Sequence, residues 1–219
     1  MREKRPLCSS ILTDETSSAH KVSDIIRFGA YDWQVLDFKD DKILLLCKDV
    51  IEKRAYHKTQ VDVTWEDCDV RRYLKGDFFE TFNQEDKERI VKTVLKNPNN
   101  EWHKTEGGND TDDMIFLLSL EEIVHYFGDS GYLWDKWDYK RSDVDMAYED
   151  GPPDSPIYDQ YDNARKAINT MGAPSWWWLR SPGMYEHDGA NIYENGGLDV
   201  SGKSIHYDGG VRPALWLLL

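Results

Sequence analysis

Trp176-Trp177-Trp178-Leu179-Arg180-Ser181-Pro182-Gly183 places three adjacent indoles in a chain of 219 residues with a formal net charge of −14. Each indole carries a large apolar area, so the rest of the chain has to supply surface that covers them. The segment is therefore predicted to be a core strand. A second apolar stretch, Gly210-Val211-Arg212-Pro213-Ala214-Leu215-Trp216, answers it near the end of the sequence and is expected to pair with it. Alternation puts Arg180 on the face of Trp176 and Trp178. Arg180 and Arg212, set among Trp, Leu and Val, each need a carboxylate or an aromatic ring for company, or else an anionic ligand. Pro213 predicts an edge or a bulge in the last strand. Trp176, Trp177, Trp178, Arg180, Arg212 and Trp216 are thus the expected structural core.

Between these two stretches lie Ala190-Asn191-Ile192-Tyr193, Leu198-Asp199-Val200 and Ser204-Ile205-His206-Tyr207, punctuated by Asn195-Gly196, Ser201-Gly202 and Asp208-Gly209. Short strands separated by such turns predict an antiparallel meander. Farther upstream, Phe28 to Asp37 alternates aromatic and polar residues, Asp40-Asp41 marks a turn, and Ile43 to Cys47 is a continuous apolar run, which together predict an N-terminal hairpin. Thr64 before Trp65-Glu66-Asp67 predicts a capped helix ending near Gly76. Asn83 opens a second, with Ile90, Val91, Val94 and Leu95 as its apolar stripe. Met114 to Leu118 reads as a buried strand, and Ser119-Leu120-Glu121-Glu122 is a capping box that opens a helix running to Phe127. Residues 1–24 are a loose lead-in, and 25–219 form one α+β domain with two to three amphipathic helices. Its long insertion, residues 129–174, is acidic and aromatic, with one helical patch from Asn163 to Met171.

With 41 acidic and 27 basic residues, the chain lacks the positive face that phosphate backbones require, so nucleic acid is not expected as a partner. There is no apolar N-terminal run and no stretch long enough to span a bilayer, which predicts a soluble, cytoplasmic chain with no membrane partner. Cys8, Cys47 and Cys68 are odd in number and widely spaced, which suits a reducing compartment and neither a disulfide framework nor a zinc knuckle.

Gly197 to Ser204 satisfies the pattern G-x-x-x-x-G-K-[ST], but a strand and a turn follow it where a phosphate-binding loop needs a helix. His57, His103, His125, His187 and His206 have no metal-ligand spacing, and neither Ser181 nor Ser204 lies in G-x-S-x-G, so no catalytic residue is nominated. Calcium is the one candidate cofactor, at Asp143, Asp145 and Glu149, although their spacing is not that of an EF-hand. Tyr185, His187, Asn191, Tyr193 and Tyr207, if carried on the meander loops, would make a polar-aromatic patch of the kind that contacts sugars or peptides.

Trp-Trp-Leu-Arg-Ser-Pro-Gly, an Ala-led strand, a Gly turn and the closing Gly-Val-Arg-Pro-Ala-Leu-Trp resemble a bacterial domain family, domain of unknown function 6273. Phe28 to Leu36, Thr64-Trp65-Glu66 with Val70 to Leu74, and Phe116 to Glu121 extend the resemblance over nearly all of the chain from Ile25. That family resembles the C-type-lectin-like fold, in the branch that includes formylglycine-generating enzymes. The resemblance implies a mixed fold with two helices and an antiparallel sheet whose loops present ligands; it does not imply sugar binding, because this fold hosts sugar binders, protein binders and enzymes. A non-catalytic domain for a carbohydrate or protein ligand is the leading expectation. An enzyme of the formylglycine-generating type with altered chemistry is the alternative, disfavoured because those enzymes use a C-terminal cysteine pair and every Cys here lies at or before position 68. A structural interaction domain of a phage or surface assembly is the third reading.

Overall fold

The computed structural model describes residues 20–131 and 156–219. Within them the protein is α+β, with mostly antiparallel sheets and few helices. One sheet has six strands. β1 (Ile25–Phe28), β2 (Tyr31–Lys39) and β3 (Lys42–Cys47) come first, followed in the sheet by β13 (Ala214–Leu218) and β5 (Ile90–Val91). β8 (Ile115–Phe116) also pairs with β13. The second sheet has five strands in the order β11 (Leu198–Ser204), β10 (Asp188–Ile192), β9 (Trp177–Pro182), β12 (Asp208–Val211) and β4 (Glu52–Ala55). β6 (Thr93–Leu95) and β7 (Thr111–Asp113) form a small ribbon.

The N-terminal hairpin forms as expected, with Lys39 opposite Lys42 across the Asp40-Asp41 turn. Its first strand is shorter than predicted, because Gly29 at φ 55° turns the chain back and makes Phe28 the end of a separate strand. The tryptophan strand is the middle strand of its sheet, and Trp177 and Trp178 are fully buried. Four large buried indoles each donate their N–H to an oxygen. Trp33 uses Phe28 O (2.9 Å), Trp65 uses Asp113 Oδ2 (3.0 Å), Trp177 uses Arg165 O (3.1 Å) and Trp178 uses Arg54 O (3.0 Å). Their burial thus carries the apolar gain without an orphaned donor.

The expected pairing of the two apolar stretches is corrected. Gly210 to Trp216 is two strands: Arg212-Pro213 breaks it, so that β12 stays beside β9 while β13 crosses into the other sheet between β3 and β5. Only Gly210 meets the tryptophan strand, opposite Trp177 and in parallel. Pro213 has no N–H to give a ladder, and it marks the change of sheet. The meander is likewise partial. β9, β10 and β11 follow one another antiparallel, but β12 crosses to the far side of β9. Gly209 allows this, because a Cβ there would occupy the space of the Trp176 and Trp178 rings.

The helices depart furthest from expectation. Thr64 makes no capping hydrogen bond, and residues 65–81 form a chain of short helical turns that includes α1 (Asp69–Tyr73). Asn83 does cap α2 (Gln84–Arg89) by accepting from Asp86 N (2.9 Å), but α2 buries no residue and stops before the predicted stripe. Ile90, Val91, Val94 and Leu95 are instead strand residues of β5 and β6. β-branched side chains suit a pleated surface, and pairing with β13 and β7 decides the matter. α3 (Leu120–Phe127) is as predicted, with the complete capping box and Leu120, Ile123 and Phe127 buried. Ser181 Oγ accepts from Leu120 N (3.0 Å), so the tryptophan strand helps to cap this helix. The patch from Asn163 to Met171 reduces to α4 (Asp162–Arg165). No helix among the described residues is long and apolar enough to cross a membrane.

Candidate functional site

The loops at one end of the five-stranded sheet gather part of the predicted patch. Tyr185 and His187 lie on the β9–β10 connection, with rings stacked at 5.4 Å between centroids and 11° between planes. His206 and Tyr207 lie on the β11–β12 connection, their rings 4.5 Å apart. Tyr185 and Tyr207 are 55% and 54% exposed, which is high for aromatic side chains in a folded domain. Beside them, Gln60, Val61, Asp62 and His187 line a shallow depression, and His187 Nδ1 is 3.1 Å from Asp62 Oδ1.

The backbone beneath is fixed at several points. Gly183 N donates to Asp188 O (2.8 Å), Met184 N to Ser201 O (2.7 Å), Asp188 N to Tyr185 O (3.0 Å), Ile205 N to His187 O (3.1 Å) and Val63 N to Glu186 O (3.2 Å). A Cβ on Gly183 would strike the Ser201 carbonyl, which explains the Pro-Gly that ends the tryptophan motif. Burial pushes the Asp188 carboxyl above its ordinary range.

Asn100 is a residue that composition concealed within an apparent loop. Fully buried, it donates from Nδ2 to Pro182 O (2.9 Å), Gly183 O (3.2 Å) and Val200 O (2.8 Å), while its Oδ1 accepts from Trp102 N (2.9 Å) and His103 N (3.3 Å). It therefore locks the base of the Tyr185–His187 turn to β11. An Asn in an Asn-rich loop gives no sign in the sequence that it faces inward.

The other predicted site residues lie elsewhere. Asn191 is wholly buried in β10, donating to Asp199 Oδ2 at 3.0 Å, and so cannot meet a ligand on the loop surface. Tyr193 is at the opposite end of β10, half-buried beside Trp176 and Lys203. Asp143, Asp145 and Glu149, the calcium candidates, lie outside the described residues. Among the described residues no group of three or more His, Cys, Asp or Glu is placed to hold a metal ion. Gly197 to Ser204 is strand β11 (Leu198–Ser204) and the residue before it, with Gly202 at φ 80° against the Gly189 carbonyl, and a turn follows it.

Arg180 and Arg212 belong to the core. Arg180 pairs with Glu122, and Arg212 lies over the Trp177 ring at 4.8 Å. Cys47 and Cys68 are buried, and burial pushes their thiols up to about 11 and about 12. Both are held protonated at neutral pH, so neither is a nucleophile there. In the Cys8→Ser protein, a disulfide reagent should titrate no thiol in native buffer and both in denaturant. Rapid labelling of the native chain would contradict this burial.

No curated protein and no solved structure matches the chain. Residues 40–219 match the family described as Domain of unknown function (DUF6273), and the chain belongs to that family.

Proposed function

We infer that this is a non-catalytic binding domain of the C-type-lectin-like type, which holds a carbohydrate or peptide ligand on the loops at the Tyr185 end of its five-stranded sheet. The observation that carries the reading is the exposed, parallel stack of Tyr185 on His187, held on a turn whose backbone is pinned to β11, the 56–64 segment and Asn100. Rigid aromatic side chains lose little conformational freedom on binding and offer large contact areas. Tyr207 on the neighbouring connection extends the surface, and Gln60 and Asp62 supply polar edges. The formylglycine-generating alternative needs a reactive thiol, and burial opposes that role for Cys47 and Cys68, the two cysteines among the described residues.

Glycan and peptide arrays probed with the labelled protein test this reading. Tyr185→Ala and His187→Ala should each weaken the captured signal about tenfold, the loss expected of a contact worth about 1.4 kcal/mol. Because Tyr185 is exposed and His187 only half-buried, the free energy of unfolding should stay within about 1 kcal/mol of wild type. Binding that survives the double substitution would place the contact surface elsewhere.

A further inference from the structure

The register of the five-stranded sheet builds a second aromatic surface at the other end of β9, about 20 Å from Tyr185 at the usual rise of a strand. Ile192 pairs with Trp177 on one side and Leu198 on the other, so Tyr193 stands between Trp176 and Gly197. Tyr193 N donates to Gly197 O (2.8 Å). Ile157 bridges Leu198 from outside, which sets Tyr158 opposite Gly197, and a Cβ on Gly197 would run into the Tyr158 ring. Directly opposed residues of antiparallel strands share a face. Tyr158, Tyr193 and Trp176 therefore form one row across one face. Tyr158 is half exposed, Tyr193 and Trp176 are half-buried, and Asn195 Nδ2 holds the Tyr158 hydroxyl at 3.2 Å.

Lys203 extends over this row. Its Nζ is 4.3 Å from the centre of the Tyr193 ring, 5.5 Å from that of Trp176 and 3.3 Å from the Tyr193 hydroxyl. No carboxylate among the described residues lies within ion-pair distance of it, although the chain carries a net charge of −14. An ammonium has three donors and no acceptor, so one donor on a phenol leaves two for a ligand. One residue inward on the same face, Asn191 Oδ1 is fully buried and has no hydrogen-bond partner. Its amide nitrogen is committed to Asp199, whose other oxygen accepts from Gly202 N (2.9 Å).

An exposed aromatic face takes the C–H face of a pyranose ring, and an ammonium with no carboxylate partner among the described residues selects a carboxylate. We propose that the Tyr158–Tyr193–Trp176 row with Lys203 binds oligosaccharides of uronic acids, with a sugar ring on the exposed Tyr158 and a carboxylate on Lys203 Nζ, which Tyr193 and Trp176 hold in place beneath it. This surface is separate from the Tyr185–His187 end and does not depend on the reading given for it.

Calorimetric titration of the full chain with hexagalacturonate and with a mannuronate hexamer, against neutral cellohexaose, tests the proposal. At least one uronate should bind saturably, at least tenfold more tightly than cellohexaose, and should weaken as salt is raised. Lys203→Met keeps the aliphatic stem and should lower uronate affinity about tenfold, and Tyr193→Ala should do the same. Tyr185→Ala should leave it unchanged, which separates this surface from the loop end. Melting curves will show whether each variant is folded, and Lys203→Met retains the apolar packing even if Tyr193→Ala does not. Failure of both uronates to bind at millimolar concentration, equal affinity for cellohexaose, or an unchanged affinity in Lys203→Met would overturn it.

Discussion

Replacing Arg180 with Ala is expected to destabilise the protein by about 3–5 kcal/mol, the scale measured when one partner of a buried charged network is removed. The Arg180 side chain is 3% exposed, and all of its N–H groups are used. Nε donates to Asn97 Oδ1 (3.2 Å), Nη1 to Leu117 O (2.9 Å) and to Glu122 Oε2, and Nη2 to Glu122 Oε1 (3.0 Å) and Lys96 O (3.1 Å). One guanidinium thus joins the tryptophan strand to α3, to Leu117 between β8 and α3, and to Lys96-Asn97 just after β6. Glu122 is 26% exposed and would be partly rehydrated after the substitution, whereas the buried Leu117 would lose the donor to its carbonyl. Arg180→Lys should cost nearly as much, because an ammonium cannot span acceptors arranged around a planar fork. Native domains hold only about 5–15 kcal/mol, so the shift should be plain in urea unfolding. A midpoint within about 0.5 kcal/mol of wild type would show that the network contributes no net stability.

The same network shows what the sequence could and could not disclose. A lone Arg between Leu179 and Ser181 in an apolar strand had to find a partner, and Glu122 proved to be it, on the helix whose capping box was itself readable. Local rules of this sort worked wherever the deciding contacts were close in sequence, as at Asp40-Asp41, Asn83 and Ser119. They failed where a distant strand decided the outcome. Ile90 to Leu95 satisfies helical spacing, but the edge of β13 offers Trp216 and Leu217 as pairing partners, and that tertiary demand outweighs periodicity in six residues. The crossing of β12 to the far side of β9 is of the same kind, since Gly209-Gly210 reads as a turn until the rings of Trp176 and Trp178 are seen lying over it.

The candidate site was half legible for a similar reason. Tyr185 and His187 follow the Pro-Gly that ends β9 and lie on its connection to β10, whereas Tyr207, which the sequence puts at the end of a Ser204–Tyr207 strand, lies on the connection after β11. Asn191 sits in the middle of a strand, where alternation alone leaves two faces open, and the buried Asp199 opposite it settled the face. Asn100 was invisible because its five polar contacts reach segments about 80 to 100 residues away as well as its own turn.

Trp177→Ala is expected to cost about 3–5 kcal/mol from lost burial alone, and the loss should be coupled to Arg212. Arg212 is 2% exposed and stands where the chain passes from one sheet to the other. It donates to Cys47 O (2.9 Å), Lys48 O (3.0 Å) and Arg165 O (3.3 Å), with no carboxylate among the described residues at ion-pair distance. Burial lowers its pKa to about 10, so it remains charged at neutral pH. The face of Trp177, 4.8 Å away, supplies the negative potential that carbonyl dipoles alone would have to provide. Trp177 also donates to the carbonyl of Arg165, whose own guanidinium is bound by Asp159 and Asp162, so ring, carbonyl and cation share one joint. Arg212→Met should therefore cost about 2–4 kcal/mol, since three carbonyls lose donors and the relief of burying a charge offsets only part of that loss. The double variant should be more stable than the two losses predict by about 1–2 kcal/mol, because removal of the ring has already weakened the site of the cation. Strict additivity in that cycle would mean that the indole merely fills space, and that the carbonyls alone hold the arginine at the joint.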